Sequence, residues 1–208
     1  MEKKDLPIYD VTVDELDEQT GMLLISFVDK PAMQIAGIAL GEQSAPVTLK
    51  LDAQDDMTFT SAVIIPGKPI YRNQPTERYI RFQPEDVKKI RDKFFAQSGE
   101  IRLSNKNHDA ADVVQAHLVE SWIIRDPTCD TALSYGFQDL PAGTLMATYK
   151  VRDRDFWESE VKTGNVTGFS LEGMFEEVPV SLSEDLLEGM SEAEFAEFIT
   201  LLGKLLEE

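Results

Sequence analysis

The chain has 208 residues and a formal charge of -18, with 38 acidic residues against 20 basic ones, and a surface that acidic repels phosphate backbones and anionic lipid, so neither nucleic acid nor membrane is expected as a direct partner. An apolar fraction of 42% supports a packed core in one domain with an appendage, and no run approaches the roughly 20 apolar residues that span a bilayer. One cysteine, Cys129, and two histidines are too few for an intrachain disulfide or a zinc cluster, so a soluble, unexported protein of a reducing cytosol without structural metal is expected.

The first part reads as strands over Ile8 to Val13, Met22 to Val28, Val47 to Leu51 and Met57 to Ile65, all rich in Val, Ile, Leu and Thr with turn residues between them. Pro84, Glu85 and Asp86 suit the first turn of a helix, and Val87, Ile90, Phe94 and Phe95 continue at helical spacing, which predicts a helix at about 84 to 97. A polar stretch, Asn105 to Asp112, precedes a long strand from Val113 to Ile124, and Leu145 to Val151 is another. Phe156, Trp157 and Val161 predict a short helix between Arg154 and Lys162 that Gly164 ends, and Val166 to Phe175 returns to strand. The expectation is an α+β, mostly β domain over residues 1–178. Residues 179–208 read as an acidic C-terminal segment, with Ser191 and Glu194 forming a capping box ahead of Phe195, Phe198, Ile199, Leu202 and Leu206 on one helical face.

A hydrolase needs a nucleophile and a base that can take its proton near neutral pH. The histidines are His108, in the polar stretch, and His117, inside a strand. Ser170 sits in Gly168-Phe169-Ser170-Leu171-Glu172-Gly173, where flanking glycines let another backbone or a substrate approach. The second glycine is one residue too far along for the G-x-S-x-G elbow of α/β-hydrolases. Two acids compete to orient a histidine: Glu120, embedded in an apolar strand, and Glu172, on the same strand face as Ser170. Nucleotide-binding glycine motifs are missing, and Asp126, Asp130 and Asp139 lack the spacing of a calcium loop.

Taken together, Ile25 to Ala32, Ile64 to Arg72, Tyr79 to Phe82, Asn107-His108, Glu120 to Ile124 and Gly168 to Gly173 resemble the XkdF-like serine proteases of tailed phages, which belong with the prohead proteases. That group in turn looks like the herpesvirus assemblin proteases. The resemblance implies an assemblin-like β-barrel or sheet with surrounding helices, with His108 and Ser170 as catalytic base and nucleophile and no cofactor. In many prohead proteases an acid just before a Ser-hydrophobic-Val-x-x-Pro-Ala segment follows the nucleophile; here the similar segment, Ser26 to Ala32, stands upstream, which suggests a circular permutation, and the position matching the acid is Leu24. Glu120 is therefore taken as the third catalytic residue, with Glu172 as its rival. The implied substrates are the phage scaffold, the major capsid protein and the protease itself, cut inside the procapsid in the host cytoplasm, and the analogy implies a homodimer. A non-catalytic capsid-assembly module with an interacting tail is the alternative.

Overall fold

The computed structural model describes residues 6–14, 16–17, 19–31, 50–51, 57–96 and 104–180. The chain divides into Met1–Val178 and Pro179–Glu208, and the expected C-terminal helix lies outside the described residues. So does most of the strand expected at Val47 to Leu51.

Among the described residues twelve strands make three four-stranded sheets. The first contains β1 (Ile8–Thr12), β5 (Ile70–Arg72), β6 (Arg78–Phe82) and β12 (Glu176–Pro179), in the order β12-β1-β6-β5. The second runs β3-β4-β10-β9 and is formed by Lys50–Leu51, Thr58–Ile64, Leu145–Val151 and Ala116–Ile123 respectively. The third runs β11-β2-β7-β8, from Gly168–Met174, Gly21–Val28, Ser104–Lys106 and Asp109–Val114. The mostly β, α+β character is as expected. The barrel is not: the described strands leave open edges in each sheet and close no ring.

The helix α1 (Pro84–Ala96) starts as its proline and acids dictate, and it buries Val87, Ile90 and Phe94 along one stripe. Its Lys93 is only 7% exposed, yet its ammonium donates to the carbonyls of Asp14 and Asp17 and to the Thr20 hydroxyl, so all three N-H bonds are used. Lys93→Met is expected to lower stability by about 2–3 kcal/mol, because those acceptors lose a charged donor, and urea unfolding checks this. The expected 154–162 helix is a turn of α (α3, Arg154–Phe156) followed by one π turn, Trp157–Val161, closed by the Lys162 amide on the Trp157 carbonyl and ending at Gly164. A short helix, α2 (Thr131–Ser134), precedes β10.

The long strand expected from Val113 to Ile124 is two strands in different sheets. The chain changes partner at Gln115: β8 pairs with β7, and β9 with β10. Local β propensity is satisfied on both sides of that junction and does not tell which neighbour each half will find.

Aromatic side chains join the second and third sheets. Phe27 of β2 meets Phe59 of β4 edge to face at 4.6 Å, and Phe169 of β11 stacks on Phe59 at 4.9 Å and lies 5.2 Å from Tyr149 of β10. Phe27, at 0% exposure, is the hub, and Phe27→Ala is expected to cost about 3–5 kcal/mol, read as a fall in thermal midpoint. Alternation then fixes the opposite faces. With Ile25, Phe27 and Phe169 turned into the core, Ser26 and Ser170 must point the other way.

Candidate active site

Antiparallel pairing sets Ser170 directly opposite Ser26 and Glu172 opposite Leu24, so these four positions share one face of the β2/β11 ladder. Both glycines of the Ser170 segment are sterically required. A Cβ on Gly168 would come within 2.7 Å of the Pro31 ring, and one on Gly173 within 2.2 Å of the Gly21 carbonyl oxygen, just past the bulge that follows Glu172.

The polar stretch that reads as a loop is a tight hairpin that delivers His108 to this face. Lys106 pairs with Asp109, leaving Asn107 and His108 as a two-residue turn with φ of 50° and 63°, the left-handed region that a type I′ hairpin turn demands at both positions. Asn107 tolerates that region well, and it also ties the turn to β2: its amide donates to the Phe27 carbonyl, and its side-chain oxygen accepts from the Asp29 amide. A histidine there is strained relative to glycine, and the surrounding contacts hold it.

What the hairpin brings together is a compact polar network. His108 Nδ1 lies 2.9 Å from Glu172 Oε1 and 3.3 Å from Ser26 Oγ. The Ser26 hydroxyl donates to the same carboxylate oxygen at 2.5 Å, and Asn105 Nδ2 donates to it at 2.9 Å. Burial works against the charge on Glu172, but the hydrogen bonds from Ser26, Asn105 and His108 outweigh it and hold the carboxyl below its ordinary range. Ser170 stays out of this network. It is half-buried and shares with His108 a cleft of about 260 Å3, lined also by Lys30, Ile70, Tyr71 and Arg72, and it also lines a larger cleft of about 560 Å3.

The other candidates lie elsewhere. Glu120, on β9 in the second sheet, accepts hydrogen bonds from the Tyr135 and Thr148 hydroxyls and is not brought to His108; Glu172 is. His117 is on β9 too, paired with Lys150, with a buried Nδ1 that has no partner. Cys129 is exposed, and the hydrogen bond and charge of Asp126 push its thiol up, which keeps it a poor nucleophile. Asp130 caps α2 and accepts from the Trp122 indole. Among the described residues no group of His, Cys, Asp and Glu is arranged to hold a metal ion, and no helix is long and apolar enough to cross a membrane.

In the sequence Ser26 stands out only as the start of the Ser26 to Ala32 segment and Asn105 only as the start of the polar stretch, neither as a site residue. Their signals were present but faint: a lone serine in the apolar run Ile25 to Val28, and an asparagine two residues before a turn whose partner strand was not foreseen.

A carboxylate on Nδ1 of an imidazole, with a serine in the same cleft, is the equipment for acyl transfer through a serine ester. Residues 70–179, 110 of the 208, match the family described as "Putative phage serine protease XkdF", and the chain belongs to that family. The matched stretch contains Asn105, His108, Ser170 and Glu172, while Ser26 precedes it. Neither the curated proteins nor the solved structures yielded a match.

Proposed function

We propose that the chain is a serine endopeptidase that cuts the phage scaffold, the major capsid protein and itself during prohead maturation. The observation that carries this reading is the His108 Nδ1 to Glu172 contact of 2.9 Å, with Ser170 in the same cleft as the imidazole. A carboxylate on Nδ1 keeps that nitrogen protonated and leaves the Nε2 lone pair to act as base.

His108 takes the Ser170 proton as the oxygen attacks a scissile carbonyl. The imidazolium then gives the proton to the leaving amine, and water, deprotonated by the same base, releases the acid product. Glu172 stabilises the imidazolium. Asn105 and Ser26 hold Glu172 in place, and Ser26 is no rival nucleophile, because at 0% exposure no substrate carbonyl reaches it. The face is also consistent with the permuted order of the segments. The acid that prohead proteases carry ahead of the Ser-hydrophobic-Val segment is Leu24 here, and Glu172 stands across the ladder from it on the neighbouring strand.

The test is intact-mass analysis of the capsid and scaffold proteins of the same phage, co-expressed with or without this protein, together with peptide mapping of the protein after treatment with a fluorophosphonate. Defined fragments and a phosphonyl adduct on Ser170 are expected. Intact partners and an unlabelled Ser170 would favour an assembly module without catalysis.

A further inference from the structure

The cleft that holds Ser170 is cationic in a chain that is strongly acidic overall. The charged or ionisable residues lining the smaller cleft are Lys30, Tyr71, Arg72 and His108, with no carboxylate among them. Arg72 also lines the larger cleft, so it shares both clefts with Ser170. The two acids of the larger cleft are already engaged: Glu172 by His108, Asn105 and Ser26, and Glu177 by Arg78, which grips it at 2.5 and 2.6 Å through two nitrogens. Among the described residues the Arg72 guanidinium makes only a 3.3 Å contact, from Nη1 to the carbonyl of its neighbour Tyr71. Burial and the nearby Arg78 both weigh against its charge, and the distant pull of Glu177 only partly offsets them. A guanidinium placed so binds an arriving carboxylate through two parallel hydrogen bonds and gains more from it than an exposed one does.

Resting on the serine-protease reading, we infer that Arg72 binds a substrate carboxylate and makes the enzyme select peptides with Asp or Glu beside the bond that Ser170 attacks. Lys30 adds to the same field from the rim of the cleft. The net negative charge of the chain as a whole sets this basic slot apart as a place for an acidic segment to bind.

The experiment is cleavage of a synthetic peptide library of mixed sequence by the full chain, read by mass spectrometry, with Ser170→Ala as the blank. Wild type is expected to enrich Asp and Glu at one fixed position next to the cut. Arg72→Ala should lose that enrichment and drop kcat/KM for acidic peptides on the order of 100-fold, while Arg72→Glu should select Lys and Arg at the same position. Ser170-dependent cleavage by wild type with no acidic preference, or with a preference unchanged in Arg72→Glu, overturns the inference and leaves the protease reading standing. Cleavage that is no greater than in the blank overturns that reading, and the inference with it. Because the wild-type preference is read on its own, a variant that fails to fold does not rescue the idea.

Discussion

Ser170→Ala is expected to lower processing of the capsid and scaffold proteins by at least about 10^4-fold, leaving only what binding and oxyanion stabilisation supply without a nucleophile. Its thermal midpoint should stay at the wild-type value, since the Ser170 hydroxyl lies outside the hydrogen-bond network that links His108, Glu172, Ser26 and Asn105. Ser26→Ala, one strand away and directly opposite, should behave in the reverse manner. It removes a buried hydrogen bond to a carboxylate, so it should cost about 1.5–3 kcal/mol while activity stays within about tenfold. Differential scanning calorimetry beside a processing assay reads both. If Ser26→Ala were the silent enzyme and Ser170→Ala the active one, the roles assigned to the two serines would be reversed.

Glu172→Gln is expected to cut kcat by about 10^2–10^4-fold, and Glu120→Gln to leave it near wild type. Glutamine keeps the shape of the side chain but removes the charge that stabilises the imidazolium and fixes the protonated nitrogen of His108. Glu120, in another sheet, has no such task; its Oε2 accepts from the Tyr135 and Thr148 hydroxyls. The pH dependence follows from the direction of the shift. In the folded protein Glu172 titrates below its ordinary 4.5, so the stability drawn from its charge is fully present above that value and is lost as pH falls through the lower, folded value. Urea unfolding of wild type and Glu172→Gln should therefore show a difference that shrinks as the pH is lowered below about pH 4. A difference that kept growing on acidification below about pH 4 would mean that the carboxyl is held protonated in the fold, and the proposed role would fail.

Much of the architecture was legible along the chain because it is a local property. Pro84 with its acids and the spacing of Val87, Ile90 and Phe94 define α1 without reference to anything else, and Leu145 to Val151 forms a strand at the limits the residues themselves suggest. The pairing of a histidine hairpin with a Gly-Phe-Ser strand was legible only through resemblance to phage proteases. The short strands β5, β6, β7 and β12 left no strong local mark, because strands this short are stabilised by their neighbours: β6 lies between β1 and β5, and β7 between β2 and β8.

The choice between Glu120 and Glu172 shows where the boundary falls. In sequence both are acids near apolar strand residues, and position alone favours neither. By itself the sequence determined the chemical inventory: two histidines, a glycine-flanked serine, an acid two residues beyond it on the same strand face, and a strongly negative surface. Tertiary structure alone decided which of these meet, because the register of β11 on β2 puts Ser170 and Glu172 on the face away from Phe27, and the Asn107–His108 turn, anchored on the Phe27 carbonyl, brings the imidazole to Glu172 in a cleft that Ser170 also lines. The partners in that contact are 64 residues apart in the chain, and a separation of that kind is closed by strand pairing and core packing that no local pattern records.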